Sequence, residues 1–218
     1  MLQILNDHLS HQLDLNKKEV LITAGPTHEK IDPVRFIGNY STGQMGFSLA
    51  FAAADRGAEV VLIAGPTHLS ADHPQIKRVD IVSAEEMHKA CMVEAPRADI
   101  IIMTAAVADF TFNKKSSIKL KKSLTPVRLE FSPTKDILKE IGNKKKKSQI
   151  LIGFALETDN ELDNAREKLK NKNLDFIVLN SLKAKGAGFG ARPRSSSKSG
   201  VPGRRTGSPT RLPARTPG

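Results

Sequence analysis

The sequence has one cysteine, one tyrosine and no tryptophan among its 218 residues. The single cysteine, Cys91, excludes an intramolecular disulfide and fits a reducing compartment, the cytoplasm. It falls within Ala84–Ala95, which has the spacing of an amphipathic helix, so it reads as a small buried hydrophobe rather than a nucleophile. No run approaches the ~18 consecutive apolar residues of a membrane span, so no membrane partner is expected. No basic-then-apolar signal pattern opens the chain. Residues 1–18 are polar with scattered leucines and read as a leader or linker. Acids are missing altogether from residues 191–218, which hold Arg192, Arg194, Lys198, Arg204, Arg205, Arg211 and Arg215. Without those seven charges the formal net charge falls from +11 to +4. The basic excess is therefore a property of the tail. Its Arg, Ser, Pro, Gly and Thr composition cannot bury enough apolar surface to offset its ordering entropy, which predicts disorder over 191–218.

Between these ends, apolar strands alternate with helices. Strands are predicted at Val20–Ala24, Glu59–Ala64, Val79–Val82, Asp99–Met103, Ile150–Ala155 and Asp175–Leu179, and helices at Met45–Arg56, Ala84–Ala95 and Asp159–Lys170. Fully apolar strands separated by helices imply a parallel sheet covered on both faces. The expected fold is α/β, a Rossmann-like three-layer sandwich, with one domain over residues 19–190. Phe110–Phe131 breaks the rhythm: it is rich in lysine and alternates at Val127–Phe131. It reads as a flap or a small antiparallel unit, the kind of insertion that commonly carries function.

Chemistry concentrates where the strands end. The loop Asp32–Gly46 follows the first strand and runs into a helix. A strand, a Gly- and Ser-rich turn and a helix start make an anion-binding device. Arg35 and Asn39 add a cation and an amide, which suggests chemistry on a phosphorylated acid. Ligands of open α/β sheets bind outside the carboxyl ends of the strands. That edge also receives Thr104-Ala105-Ala106-Val107-Ala108-Asp109, the Lys119-Leu120-Lys121-Lys122 cluster, and Gly153-Phe154-Ala155-Leu156-Glu157-Thr158. Small residues at 104–108 admit a flat ring. Asp109 suits ribose hydroxyls or a metal ion, Lys119 a triphosphate, and Phe154 a base. Each has a plainer reading beside it: Asn39 as a turn residue, the lysine cluster as a solvated face, Phe154 as core and Asp109 as a cap. Lys168 and Lys172, four apart on a helix, read as solvent-facing. Lys144–Lys147 reads as a solvated basic loop, and His28 as a loop residue with nothing to complete a dyad.

Two other classes remain open. A nicotinamide oxidoreductase needs G-x-G-x-x-G directly after the first strand and an acid at the end of the second. Here the second strand ends in Ala64-Gly65-Pro66-Thr67, and the Walker pattern for ATP is missing too. A nucleic-acid binder would use the basic tail, with steeply salt-dependent affinity.

Taken in order, six segments resemble bacterial phosphopantothenate–cysteine ligase. They are Ile22-Thr23-Ala24-Gly25-Pro26-Thr27, Ile31-Asp32-Pro33-Val34-Arg35-Phe36-Ile37, Asn39-Tyr40-Ser41-Thr42-Gly43, Thr104 to Asp109, Gly153 to Thr158 and Asn173-Leu174-Asp175. The likeness covers about residues 18–190. It implies CTP-dependent joining of 4′-phosphopantothenate to L-cysteine through an acyl-cytidylate, with Mg²⁺ accompanying CTP and no flavin in this chain. It also implies a homodimer formed partly through the flap. The catalytic residues it implies are Asn39, Lys119 and Arg35. The implied nucleotide site is Met103, Thr104, Ala105, Asp109, Lys119, Thr134, Lys135, Asp136, Ile137, Phe154, Lys168 and Lys172. Phosphopantothenate falls to Arg35, Asn39, Ser41, Thr42 and Gly43. No protein metal ligand is implied. Thr134-Lys135-Asp136-Ile137 departs from the family's usual Asn-Pro-Asp-Ile, and Gly38 and Gln44 replace a frequent Ser and Lys. Many members are fused behind a flavin-dependent decarboxylase, so the chain reads as a stand-alone ligase or as the ligase half of such a fusion, with 1–18 as its former linker. After Gly190 the family's closing strands and final helix give way to the Arg/Pro/Gly tail, which reads as a foreign end.

Overall fold

The computed structural model describes residues 13–122, 128–157 and 160–181. The expected leader before Leu13, the end of the Gly153–Thr158 motif and the tail 191–218 lie outside the described residues. The elements in chain order are β1 (Glu19–Ala24), β2 (His28–Lys30), β3 (Phe36–Gly38), α1 (Gln44–Asp55), β4 (Glu59–Ala64), β5 (Ile76–Asp80) and α2 (Ala84–Glu94). They continue with β6 (Ile100–Met103), β7 (Phe110–Phe112), β8 (Phe131–Pro133), α3 (Ile137–Lys144), β9 (Ile150–Glu157), α4 (Glu161–Asn171) and β10 (Phe176–Ser181).

Six strands form one sheet in the order β10-β9-β6-β1-β4-β5, and every pairing in it is parallel. The expected α/β sheet is what forms. Its central strands are apolar because both faces are covered. One face packs Ile22, Leu62 and Val20 against Phe47, Ala50 and Ala54 of α1. The other packs Leu21, Ile101 and Leu151 against Met87 and Cys91 of α2 and Ile137 and Ile141 of α3. Cys91 is fully buried, and burial pushes its thiol up to about 12.

Four local readings are corrected. The third predicted strand, Val79–Val82, runs instead over Ile76–Asp80. The adjacent Lys77 and Arg78 mask a half-exposed edge strand. The segment 28–38 is a β2–β3 hairpin rather than plain loop, and His28 stacks on Phe36 across it, with ring centroids 3.7 Å apart. Helix α3 escaped notice because its eight residues carry only three large apolar side chains. Its Asp136 cap accepts from the Lys139 N–H. Lys144–Lys147 is not a free basic loop: Lys144 pairs with Glu140, and Lys145 pairs with Asp175 at 2.6 Å. Lys146 donates to the Pro96 carbonyl at 2.8 Å.

The excursion after β6 contains the expected antiparallel unit, β7 with β8, but β8 begins at Phe131, where the alternating stretch Val127–Phe131 ends. It lies beside the β2–β3 hairpin through a buried acid. Glu29 accepts from the Ala84 N–H at the start of α2 and from the Thr111 hydroxyl of β7.

Candidate functional site

The sheet order has a switch point. Chain progression runs outward one way from β1 through β4 to β5, and the other way from β6 through β9 to β10. The crevice between the carboxyl ends of β1 and β6 is where such sheets bind ligands. Here its two walls are stitched together. Thr104 donates its hydroxyl to the Thr23 carbonyl at 2.5 Å, and the Ala106 N–H reaches the Gly25 carbonyl at 2.9 Å. The Ala108 N–H donates to the buried Thr27 hydroxyl at 2.9 Å. The turn 104–108 is therefore rigid and built of small side chains.

Helix α1 starts beside this crevice. Its N-cap is Gly43, at φ 79°, which has no side chain to cap the helix, and the first turn holds no acid. The Ser41 and Thr42 hydroxyls lean onto the N–H groups of Gly43 and Gln44 at 3.3 and 3.4 Å. A helix start left open in this way favours an anion. Glycine at position 46 lets the helix approach closely: a Cβ there would sit 2.5 Å from the Ala24 Cβ and 2.7 Å from the Thr104 hydroxyl.

Asn39 donates from Nδ2 to the Val107 carbonyl at 2.9 Å. This ties the loop before α1 to the turn after β6. An amide has two N–H donors and an acceptor, so one bond orients the side chain and leaves an N–H and the carbonyl for a ligand. Arg35 faces the strap 118–122 of the excursion. Its guanidinium forms a two-pronged pair with Asp32 and donates to the Leu120 carbonyl at 2.6 Å. Burial pushes the Asp32 carboxyl up. Donation from the Val34 N–H, Arg35 and the Leu120 N–H outweighs that and holds it well below the usual carboxylate range. A cleft of about 860 Å³ opens there, walled by Ile31, Val34, Leu120 and Leu129 and carrying Arg35 and Lys119. Lys119 itself is exposed.

The nucleotide-site candidates fall into pairs. Thr134 donates its hydroxyl to the Ala108 carbonyl at 2.7 Å and its N–H to the Asp109 carbonyl at 2.9 Å. Asp109 is thereby placed at the mouth with its carboxylate exposed. Lys168 reaches from α4 to the Phe154 carbonyl at 2.7 Å. Lys172 lies 3.1 Å from Asp136. Neither lysine is simply solvent-facing. Lys135 turns away to Glu85 of α2. The side chains of Met103 and Ile137 are in the core. Ala105 is half-buried in the stitched turn. Two buried acids, Glu29 and Asp32, had no role in the sequence reading. The Asp-Pro-Val-Arg spacing, which places two N–H donors and a guanidinium within reach of one carboxylate, is the signal that could have marked Asp32. A second cavity, about 470 Å³, lies at the opposite edge, where Lys77 and Arg97 neutralise Glu94.

Residues 15–197 match the family described as DNA/pantothenate metabolism flavoprotein C-terminal domain. The chain belongs to this family. It is 51% identical over 177 residues to coenzyme A biosynthesis bifunctional protein CoaBC of Bacillus subtilis, covering 81% of this chain and 43% of that protein. It is 54% identical over 176 residues to a protein of an unknown prokaryotic organism described as cysteine/cysteine sulfinic acid decarboxylase, covering 81% of this chain and 49% of that one. The chain thus spans about half the length of the curated relatives it matches. The crystal structure of the C-terminal domain of a CoaBC protein superposes with a TM-score of 0.67 at 43% identity, covering 76% of this chain and 78% of that one. Among the described residues, no helix of this family member is long and apolar enough to cross a membrane.

Proposed function

We propose that this chain joins 4′-phosphopantothenate to L-cysteine at the expense of CTP, a step of coenzyme A synthesis. In the first step the substrate carboxylate attacks the α-phosphorus of CTP. The α–β phosphoanhydride bond breaks, pyrophosphate leaves and an acyl-cytidylate remains. In the second step the cysteine amine attacks the acyl carbon, CMP leaves with the electron pair of the breaking bond, and the amine gives up a proton. The observation that carries this reading is the Asn39–Val107 bond. It fuses the open helix start, suited to an anionic substrate, with the small-residue turn, suited to a flat base, into one mouth.

The roles are those the resemblance implies, and the placement of the residues supports them. Gly43 and the first turn of α1, with Ser41 and Thr42, receive an anionic group of phosphopantothenate. Asn39 holds the acyl carbonyl while the amine attacks. Lys119 screens the charge that builds when carboxylate meets triphosphate. Asp109 and Thr104 take the nucleoside end, and Lys168 and Lys172 the phosphates beyond Phe154 and Asp136. Among the described residues, no three His, Cys, Asp or Glu side chains converge as a metal cage. Mg²⁺ is commonly held by substrate phosphates with only one or two carboxylates. Exposed Asp109 fits an ion that arrives on CTP, which would neutralise its phosphates. Residues 19–190 form the catalytic unit, which works in the cytoplasm as a homodimer, carries no flavin and operates beside or fused to a flavin-dependent decarboxylase.

The test is pyrophosphate release from CTP with 4′-phosphopantothenate and Mg²⁺, first without and then with cysteine. Release that requires phosphopantothenate, followed by CMP and amide once cysteine is added, is the expected result. Release from CTP alone, or none from folded protein, overturns the reading.

A further inference from the structure

The hairpin carries a buried acid, Asp32, only 2% exposed. Its two oxygens face different partners. Oδ1 accepts from the N–H groups of Val34 and Arg35, both at 2.8 Å, and closes the hairpin turn. Oδ2 accepts from Arg35 Nε at 3.0 Å and Nη2 at 2.5 Å, and from the Leu120 N–H at 3.1 Å. Arg35 Nη2 also donates to the Leu120 carbonyl at 2.6 Å. One ion pair therefore holds both backbone groups of a residue more than eighty positions away. The excursion leading into the strap is docked along the hairpin at two further points. The Ser116 N–H donates to the Ile31 carbonyl at 3.0 Å, and the Thr111 hydroxyl to Glu29 at 2.7 Å.

A turn alone needs only Oδ1. The second oxygen accepts three hydrogen bonds, one from the strap and two from the Arg35 side chain that itself reaches the strap. The Leu120 N–H belongs to the planar peptide it shares with Lys119, so gripping it fixes the backbone from which Lys119 projects. We propose that Asp32 is a positioning residue: through Oδ2 and Arg35 it holds the Leu120 backbone, and with it Lys119, against the hairpin whose continuation carries Asn39. The inference rests on the ligase reading for the role of Lys119, but the grip itself does not. An asparagine at position 32 keeps an acceptor for the turn and sets an NH₂ group against three donors. The turn survives in Asp32→Asn while the grip is lost.

The experiment uses the full chain and three variants, Asp32→Asn, Lys119→Gln and the double. Hydrogen exchange at the Leu120 amide and tryptic cleavage after Lys119, Lys121 and Lys122 read the grip. In Asp32→Asn both rise at least tenfold, while exchange in β1 stays at the wild-type rate and shows the fold intact. Pyrophosphate release reads the positioning. Its kcat falls at least tenfold in Asp32→Asn with KM for CTP within twofold, and the double variant is no slower than Lys119→Gln alone. Wild-type exchange at Leu120 in Asp32→Asn overturns the proposal. So does a double variant slowed by the full factors of both single changes, because Asp32 then acts by another route. If the wild-type chain releases no pyrophosphate, the ligase reading fails, and exchange at Leu120 still decides whether Asp32 holds the strap.

Discussion

Gly46→Ala is a one-carbon probe of how α1 is seated. The added Cβ would stand 2.5 Å from the Ala24 Cβ and 2.7 Å from the Thr104 hydroxyl. Carbon atoms pack at about 3.5–4.0 Å, so the helix start must lift by roughly 1 Å. Thr104 can rotate only by giving up its bond to the Thr23 carbonyl, and Ala24 is fixed in the central strand. Overpacking of this kind costs about 1–3 kcal/mol. Replacing a helical glycine returns up to about 1 kcal/mol through propensity. The net loss is then on the order of 1 kcal/mol, a fall in Tm of about 2–4 °C for a chain this size. Activity suffers more. A misplacement of about 1 Å at an anchoring group can cost on the order of a hundredfold in rate, and the lifted element is the one proposed to offer its N–H groups to the substrate. Thermal melting by circular dichroism and pyrophosphate release measure the two effects separately. Ala24→Gly placed in the same chain removes the nearer clash and recovers much of the activity. A Gly46→Ala protein with raised Tm and wild-type kcat/KM would refute the argument, because the seat would then be soft.

Three further outcomes can be checked. Asp32 and Glu140 both titrate below their unfolded values of 3.8 and 4.5, Glu140 at about 2, held down by its bonds to Lys144 and His88. In that window the folded form binds fewer protons than the unfolded one, so the stability these groups contribute is complete above pH ~4.5 and drains away as pH falls toward ~2; Glu140→Gln should flatten that acid limb in urea titrations at stepped pH. Cys91, with its thiol raised to about 12 by burial, should stay unlabelled by an aromatic disulfide reagent in native buffer and react at once in denaturant; rapid native labelling would mean that α2 is not seated. Leu151→Ala empties a fully buried position in β9 and should cost about 3–5 kcal/mol in denaturant titrations; a loss under 1 kcal/mol would mean that the sheet collapses around the gap.

Much of the architecture was legible because apolar strands of about five residues, punctuated by helices, have few other ways to hide both faces. Val20–Ala24, Glu59–Ala64 and Ile150–Ala155 carry this signal without ambiguity. Short elements did not. The β2–β3 hairpin has three residues a side and is held by cross-strand partners such as His28 and Phe36, which leave no periodicity to read. Helix α3 is too short to stand out, with three large apolar side chains in eight residues. Of the candidate site, the loops were found but not the ties between them. Asn39 and Val107, Arg35 and Leu120, or Lys172 and Asp136 are tens of residues apart, and nothing local in the chain links them.

By itself, then, the sequence determined the class of fold, and it pointed to one edge of the sheet as the candidate site and to the residue types proposed for it. Each of these follows from local pattern: apolar runs, glycine-rich turns and helix starts. Only the tertiary structure decided which side chains are spoken for. It assigned Lys135 to Glu85, sank Met103 and Ile137 into the core, and set Arg35 between Asp32 and the Leu120 carbonyl. A charge that looks free in a sequence is free only if no opposite charge folds beside it. That is a matter of three-dimensional distance, which the order of residues along the chain does not carry.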